Sequence, residues 1–249
     1  MILSMKYFLA ILVSLVAVGA RCETGSGSAR DGVVLVYSGP GAGSAPASAE
    51  IAASMGFKIR YVTPADIKPA LFKNAKVWMQ PGGDAIEAAQ ALGAKGLKAI
   101  REFVKNGGGY VGFCAGAFLA DKTVDNPETI AGLGIIPIGT YDYPLDNNHG
   151  HGDMTWIDWG GKRRHVFFNG GGSFYVNKEH PEVHVLASFA ADGAPATIEV
   201  MFGKGHVVVS GAHPEASAAW KSKAGVIDQD GPDFDLAVDM VERSLKGTP

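Results

Sequence analysis

Residues Gly107–Ala120 read GGGYVGFCAGAFLA. An apolar run, Tyr110–Phe113, meets a turn of small residues, and a helix-compatible segment follows. Gly112 and Gly116 bracket Cys114 as G-x-C-x-G, the thiol version of a nucleophile elbow, in which a strand turns sharply into a helix and exposes the nucleophile at the apex. The flanking residues must be small because the turn is tight and its backbone strained. A helix start beside the sulfur favours the thiolate.

Upstream of this stretch, strand-like and helix-like pieces alternate. Val33–Tyr37 (VVLVY) is a β-branched run ended by Ser38-Gly39-Pro40-Gly41. Ala45–Met55 is helix-compatible, Lys58–Val62 reads as a second strand, and Lys76–Gln80 as a third, stopped by Pro81-Gly82-Gly83. Asp84 stands where a helix cap belongs. Ile86–Lys105 carries Leu92, Leu97, Ile100, Phe103 and Val104 at helical spacing, and Asn106-Gly107 closes it. Continuous apolar strands separated by helices predict an α/β fold with a largely parallel sheet covered on both faces. Downstream, Met154–Trp159, Arg164–Phe168, His184–Phe189, Ala196–Phe202 and His206–Ser210 read as strands joined by Gly-rich turns without long helices. A last helix, Asp233–Lys246, has Phe234, Ala237, Val238, Val241 and Leu245 as its expected buried stripe.

The chain has 249 residues and a formal net charge of −3, with no basic run and no aromatic–basic interleaving, so nothing points to nucleic acid. The first residues have the layout of an export signal: Lys6, an apolar run Tyr7–Val18, then Gly19-Ala20. Val18 and Ala20 suit the small-residue positions before a cleavage point, and Met5 is an alternative start. The run falls short of the roughly 20 residues a bilayer span needs. The expected organisation is a signal peptide at 1–20, a flexible lead-in at 21–31 and one domain at 32–247. The expected location is secreted or periplasmic, with no membrane association after cleavage. A lipid anchor on Cys22 is the alternative, but Arg21 precedes it where a small residue is usual. Of the two cysteines, Cys22 lies in the lead-in and a disulfide would consume Cys114, so none is expected.

A cysteine nucleophile needs a base, and the base an orienting group. Val207–Glu215 (VVVSGAHPE) runs a buried strand into His213-Pro214-Glu215. In an extended segment positions i and i+2 point the same way, and Pro214 keeps the backbone extended. His213 and Glu215 can then both reach toward Cys114.

The Cys elbow with a downstream H-x-E closely resembles the class I glutamine amidotransferase-like superfamily. That resemblance implies a flavodoxin-like three-layer sandwich with a β-rich insertion and C-terminal half. It implies Cys114 as nucleophile, His213 as base and Glu215 as orienting carboxylate. The loop Pro81-Gly82-Gly83 would supply part of an oxyanion hole, completed by the backbone N–H groups of Gly83 and Ala115. Within the superfamily, VYSGPGAG at Val36–Gly43, MQPGGD at Met79–Asp84, the Cys114 stretch and FFNGGGSF at Phe167–Phe174 resemble the amidotransferase-like domain at the N-terminus of biotin–protein ligases, which also occurs as a free-standing bacterial protein. No ligase domain is expected from this reading, so biotin transfer is not among the expected activities. Glutamine-hydrolysing members carry Gln four residues after the Cys; Phe118 stands there, and the motif that grips the glutamine α-groups is missing. Related cysteine peptidases place His directly after the nucleophile, where this chain has Ala115.

Fainter signals complete the reading. His149-Gly150-His151 with Asp153 could form a metal loop but is read as a polar turn, so no metal and no cofactor is expected. Gly39-Pro40-Gly41-Ala42-Gly43 lacks phosphate-loop spacing and is read as lining the site mouth at the strands' carboxyl ends. Gly39, Gly41, Gly82, Phe118 and Gly171 are the expected substrate-lining residues. Tyr141, Tyr143, Phe174 and Tyr175 are possible aromatic walls, and His165, His180 and His184 are read as surface or strand residues. The function expected is a secreted thiol hydrolase acting on a small-molecule or peptide amide or acyl substrate. The alternative is a catalytically silent binding or scaffold module of the same fold.

Overall fold

The computed structural model describes residues 30–125, 129–145 and 151–247. The signal and lipid-anchor readings, and His149 and Gly150 of the proposed metal loop, lie outside them. The chain forms β1 (Val33–Tyr37), α1 (Ala45–Ser54), β2 (Lys58–Val62), β3 (Ala75–Gln80), α2 (Ala85–Lys105), β4 (Gly109–Phe113), α3 (Ala115–Ala120) and β5 (Thr140–Asp142). There follow β6 (Asp153–Trp159), β7 (Lys162–Phe168), β8 (Gly172–Phe174), β9 (His184–Phe189), β10 (Pro195–Phe202), β11 (Gly205–Ser210), α4 (Ala218–Ala224) and α5 (Phe234–Ser244).

One nine-stranded sheet runs β2-β1-β3-β4-β11-β10-β9-β6-β7. The pairs from β2 across to β11 are parallel, and those from β11 to β7 are antiparallel. β5 and β8 form a separate antiparallel pair. α1 and α5 pack on one face and α2 and α3 on the other. Strand alternation explains why VVLVY is apolar throughout. Val34 and Val36 join the core with Ile51 of α1 and Met240 of α5, while Leu35 and Tyr37 join the opposite core with Ile100 of α2 and Leu119 of α3. A sheet covered on both faces must be apolar at every position.

Local chemistry sets the helix boundaries. The Asp84 side chain accepts the Glu87 N–H at 2.9 Å and starts α2. Leu92, Leu97, Ile100 and Val104 are buried as expected and Phe103 partly so, but Gly93 (φ 57°) kinks α2 into two pieces. In α5 the buried face is Leu236, Ala237, Met240 and Val241, while Phe234, Val238 and Leu245 pack only partly. The expected stripe was therefore rotated, because several phases of this apolar-rich helix satisfy the same spacing. α4 was not anticipated: seven residues, started by Ser217 accepting the Trp220 N–H, are too few to show a period.

Candidate active site

Three neighbouring parallel strands, β3, β4 and β11, end side by side, and the candidate groups sit on the turns that leave them. Cys114 follows β4 with φ 48° and ψ −105°, the only positive φ of a non-glycine among the described residues. Such strain costs about 1–3 kcal/mol and persists only where surroundings over-determine it. Here the Cys114 N–H donates to Ser210 O at the end of β11 (2.8 Å), and the Tyr110 hydroxyl donates to Gly116 O (2.7 Å). Gly116 is required by proximity: a Cβ there would fall 2.3 Å from Gln80 O. Gly116 thus lets the elbow press against β3, and Gly112, where a Cβ would fall 2.5 Å from Gly116 O, lets the start of α3 approach β4.

His213 leaves β11. Its N–H donates to Phe167 O at 2.8 Å, which fixes it against the end of β7. The imidazole Nδ1 lies 2.9 Å from Glu215 Oε1, and His213 and Cys114 line the same cavity. The structure therefore brings together all three residues read as a triad. The local backbone differs from the expectation: residues 213–216 form a turn, with the Ala216 N–H donating to His213 O at 3.0 Å, rather than an extended segment. Pro214 serves this turn equally well, since its fixed φ suits a turn's second position.

His213 and Glu215 are both almost fully buried. Burial by itself depresses an imidazole pKa, but Glu215 and then Cys114 outweigh it, and His213 is held protonated well above the ordinary histidine value. Glu215 Oε1 accepts a second bond from the Ser44 hydroxyl (3.3 Å), and that hydroxyl accepts the Gly82 N–H (2.9 Å). Glu215 Oε2 is buried with no partner among the described residues.

The two candidate oxyanion donors, Gly83 and Ala115, keep their N–H groups out of the neighbouring backbone pairings among the described residues. The Gly43 N–H to Gly82 O and Asp84 N–H to Gly41 O bonds frame Ala42 and Gly83 as a non-hydrogen-bonded pair. The Gly83 N–H is thereby turned away from that pairing. Ala115 is the first residue of α3, where an N–H has no partner within its helix. Gly83, at φ 141°, must be glycine: a Cβ would land 2.1 Å from Gly41 O. Both residues line the same cavity as Cys114.

Of the expected lining residues, Phe118 lines a cavity of about 890 Å3 beside Cys114, and Gly82 a second of about 450 Å3. Gly39, Gly41 and Gly171 line neither. A Cβ on Gly39 would meet the Tyr37 hydroxyl, one on Gly41 would meet Asp84 O, and one on Gly171 would meet Gly211 O at 1.8 Å, so these glycines serve backbone packing. Gly170 lines the cavity instead. Tyr141 and Tyr175, with ring centroids 4.5 Å apart, do form a cavity wall. Tyr143 stacks on Phe189 and Phe174 is fully buried, so both belong to the core. His165 lies in strand β7, one of the two places read for it, and is buried against Trp156. No cluster of metal-ligating side chains occurs among the described residues.

Sequence reasoning missed Ser44, Trp220 and Asn169. Ser44 and Glu215 are 171 positions apart, and only the folded sheet brings them together. Trp220 sets its ring edgewise to His213 (centroids 5.7 Å), and Asn169 O lies 3.6 Å from the Cys114 sulfur. The FFNGGGSF stretch carried a signal for Asn169; nothing local marked Ser44 or Trp220.

A family model described as the N-terminal region of biotin–protein ligase matches residues 33–132 and 151–244. The biotin–protein ligase of Schizosaccharomyces pombe is 30% identical over 161 residues, which cover 56% of this chain and 25% of that protein. The chain thus spans about a quarter of the length of that relative. A solved glutamine amidotransferase aligns over 77% of this chain and 100% of its own, with TM-score 0.57 and 18% identity. The PurLQS structure from Thermotoga maritima aligns over 86% of this chain and 100% of its own, with TM-score 0.58 and 15% identity. At these identities the likeness establishes the fold: an α/β architecture of the class I glutamine amidotransferase type, with a mixed sheet and parallel core strands.

Proposed function

This chain belongs to the biotin–protein ligase N-terminal family, and from that premise we propose that it is a thiol hydrolase working through Cys114, His213 and Glu215. The observation that carries the reading is the buried Glu215–His213 pair set in one cavity with the sulfur of a strained elbow residue. A cysteine with only a packing role needs neither the positive φ nor the buried ion pair.

The chemistry follows from these positions. The Cys114 thiolate attacks the carbonyl carbon of an amide or ester. Gly83 and Ala115 donate to the oxygen as it gains charge. The C–N or C–O bond breaks as His213 gives its proton to the leaving atom. Water, deprotonated by His213, then attacks the thioester; the C–S bond breaks, the acid is released and thiolate and imidazolium return. Glu215, held by Ser44, keeps the imidazole in place throughout. Phe118 and the Tyr141–Tyr175 wall flank the acyl side, and the charged lining around them, four aspartates against Lys122, does not suit the α-carboxylate of glutamine. Residues 1–20, read as an export signal, would place this activity outside the cytoplasm; fractionation of the full chain tests that part.

The hydrolase reading is tested with para-nitrophenyl acetate. Wild type should release a burst of nitrophenolate of about one equivalent per chain and gain one acetyl group by intact mass, while Cys114→Ala should do neither. Equal release and labelling by the two proteins would overturn the reading and favour a silent binding module.

A further inference from the structure

Cys114 lines two cavities of different character. The larger, about 890 Å3, holds the oxyanion donor Ala115 together with Phe118, Tyr141 and Tyr175. Its charged lining consists of Asp84, Asp121, Asp125 and Asp142 against Lys122 alone. The smaller, about 450 Å3, holds His213, Phe167, Asn169, Trp220 and Lys223. No carboxylate of the described residues lines it, and Lys223 is exposed with no ion pair among them.

The triad tells the two apart. The leaving atom must sit next to the proton on His213, and His213 lines only the smaller cavity. The acyl substituent must then take the larger cavity, which Ala115 and Phe118 line. A primary amide releases ammonia, which needs no more room than a water molecule, about 30 Å3. A cavity of 450 Å3 with two aromatic walls instead suits an organic amine, being within the range that small ligands fill.

We infer, building on the hydrolase reading above, that the substrate is a substituted amide whose acyl part is cationic and whose amine part is flat or apolar and carries an anionic group. The cationic acyl part faces the aspartate-rich cavity and its aromatic wall. The anionic amine part faces Lys223, with its flat portion against Trp220 and Phe167. In the reaction the Cys114 sulfur bonds to the acyl carbon, the C–N bond breaks, and the amine leaves into the smaller cavity with the proton from His213. Water then cleaves the thioester to the carboxylic acid.

The test compares four synthetic compounds by product release. ε-Aminocaproyl-para-aminobenzoate carries both predicted features. Adipoyl-para-aminobenzoate reverses the acyl charge, ε-aminocaproyl-para-aminobenzamide neutralises the amine part, and ε-aminocaproamide replaces that part by ammonia. The first should exceed the adipoyl compound and the primary amide by at least tenfold in kcat/KM. It should exceed the benzamide by at least threefold, the scale of one exposed charge pair, and Lys223→Glu should invert that last ratio. A primary amide cleaved as fast as the first compound, or a ratio unmoved by Lys223→Glu, would overturn the substrate class. If para-nitrophenyl acetate still gives its Cys114-dependent burst in those cases, the hydrolase reading stands alone. Without that burst, both fall.

Discussion

The two halves of the sheet serve the site differently. In the parallel half all five strands point to one rim, and three adjacent turns on it carry Gly83, Cys114 and His213. Each is locked to its neighbour by backbone: Cys114 to β11 through Ser210 O, and the Gly83 loop to Gly41 and Gly43. In the antiparallel half strand direction alternates, and among the described residues the end of β7 lies against the sulfur and the imidazole. It brings Phe167, Asn169 and Gly170, whose carbonyl oxygens and ring line the space around the sulfur and the imidazole. Parallel strands with intervening helices present several side chains from one edge on rigid supports, which is where α/β sheets place reactive groups. The antiparallel flank encloses those groups without adding one to the triad.

The comparison predicts that substitutions on the parallel rim are costly in rate and that those on the flank are not. Glu215→Gln leaves His213 in place but removes the charge that holds the imidazolium, and should lower ester hydrolysis on the order of 10³-fold. A loss under tenfold would sink the triad assignment. Gly83→Ala puts a Cβ 2.1 Å from Gly41 O and displaces an oxyanion donor, for a loss of roughly 10²–10³ in kcat. Its flank counterpart, Gly193→Asn in the turn between β9 and β10, sits at φ 78° with open space around it, a conformation Asn tolerates, and should change kcat less than about threefold.

Strain offers a stability readout of the same contrast. Cys114 has the one positive φ found outside glycine among the described residues. Cys114→Gly should therefore melt higher than Cys114→Ala, by about 1 kcal/mol after the entropy cost of glycine is subtracted. Equal melting temperatures would show that the elbow is not strained. The smallest effect concerns pH. His213 has a raised pKa in the folded state, so its stabilisation is fully present below its unfolded value of about 6.5 and is lost as pH rises through the folded one. Wild type should lose stability toward alkaline pH more steeply than His213→Asn, measured as unfolding midpoint across a pH series.

How far the sequence could be read follows the same division. Continuous runs such as VVLVY have one physical explanation, burial on both faces, so the parallel core was legible along with its strand ends. G-x-C-x-G and H-x-E were legible because each is local. What escaped is what only tertiary contact creates. Ser44 supports Glu215 across 171 positions, and Trp220 lies on a helix too short to show a period. Gly171 looked like a lining residue because sequence reveals that a glycine is needed but not what approaches it. Phe234 and Val238 were placed on the buried face of α5 because apolar spacing fixes a period without fixing its phase.

The central claim is that Cys114, His213 and Glu215 act as one unit. The most direct measurement is the rate of para-nitrophenyl acetate turnover by Cys114→Ser, His213→Asn and the double variant, with folding of each checked by thermal melting. A single unit predicts that each change alone removes nearly all activity and that the double variant is no slower than the worse single one. Losses that multiply in the double variant would contradict it, showing Cys114 and His213 to be independent neighbours.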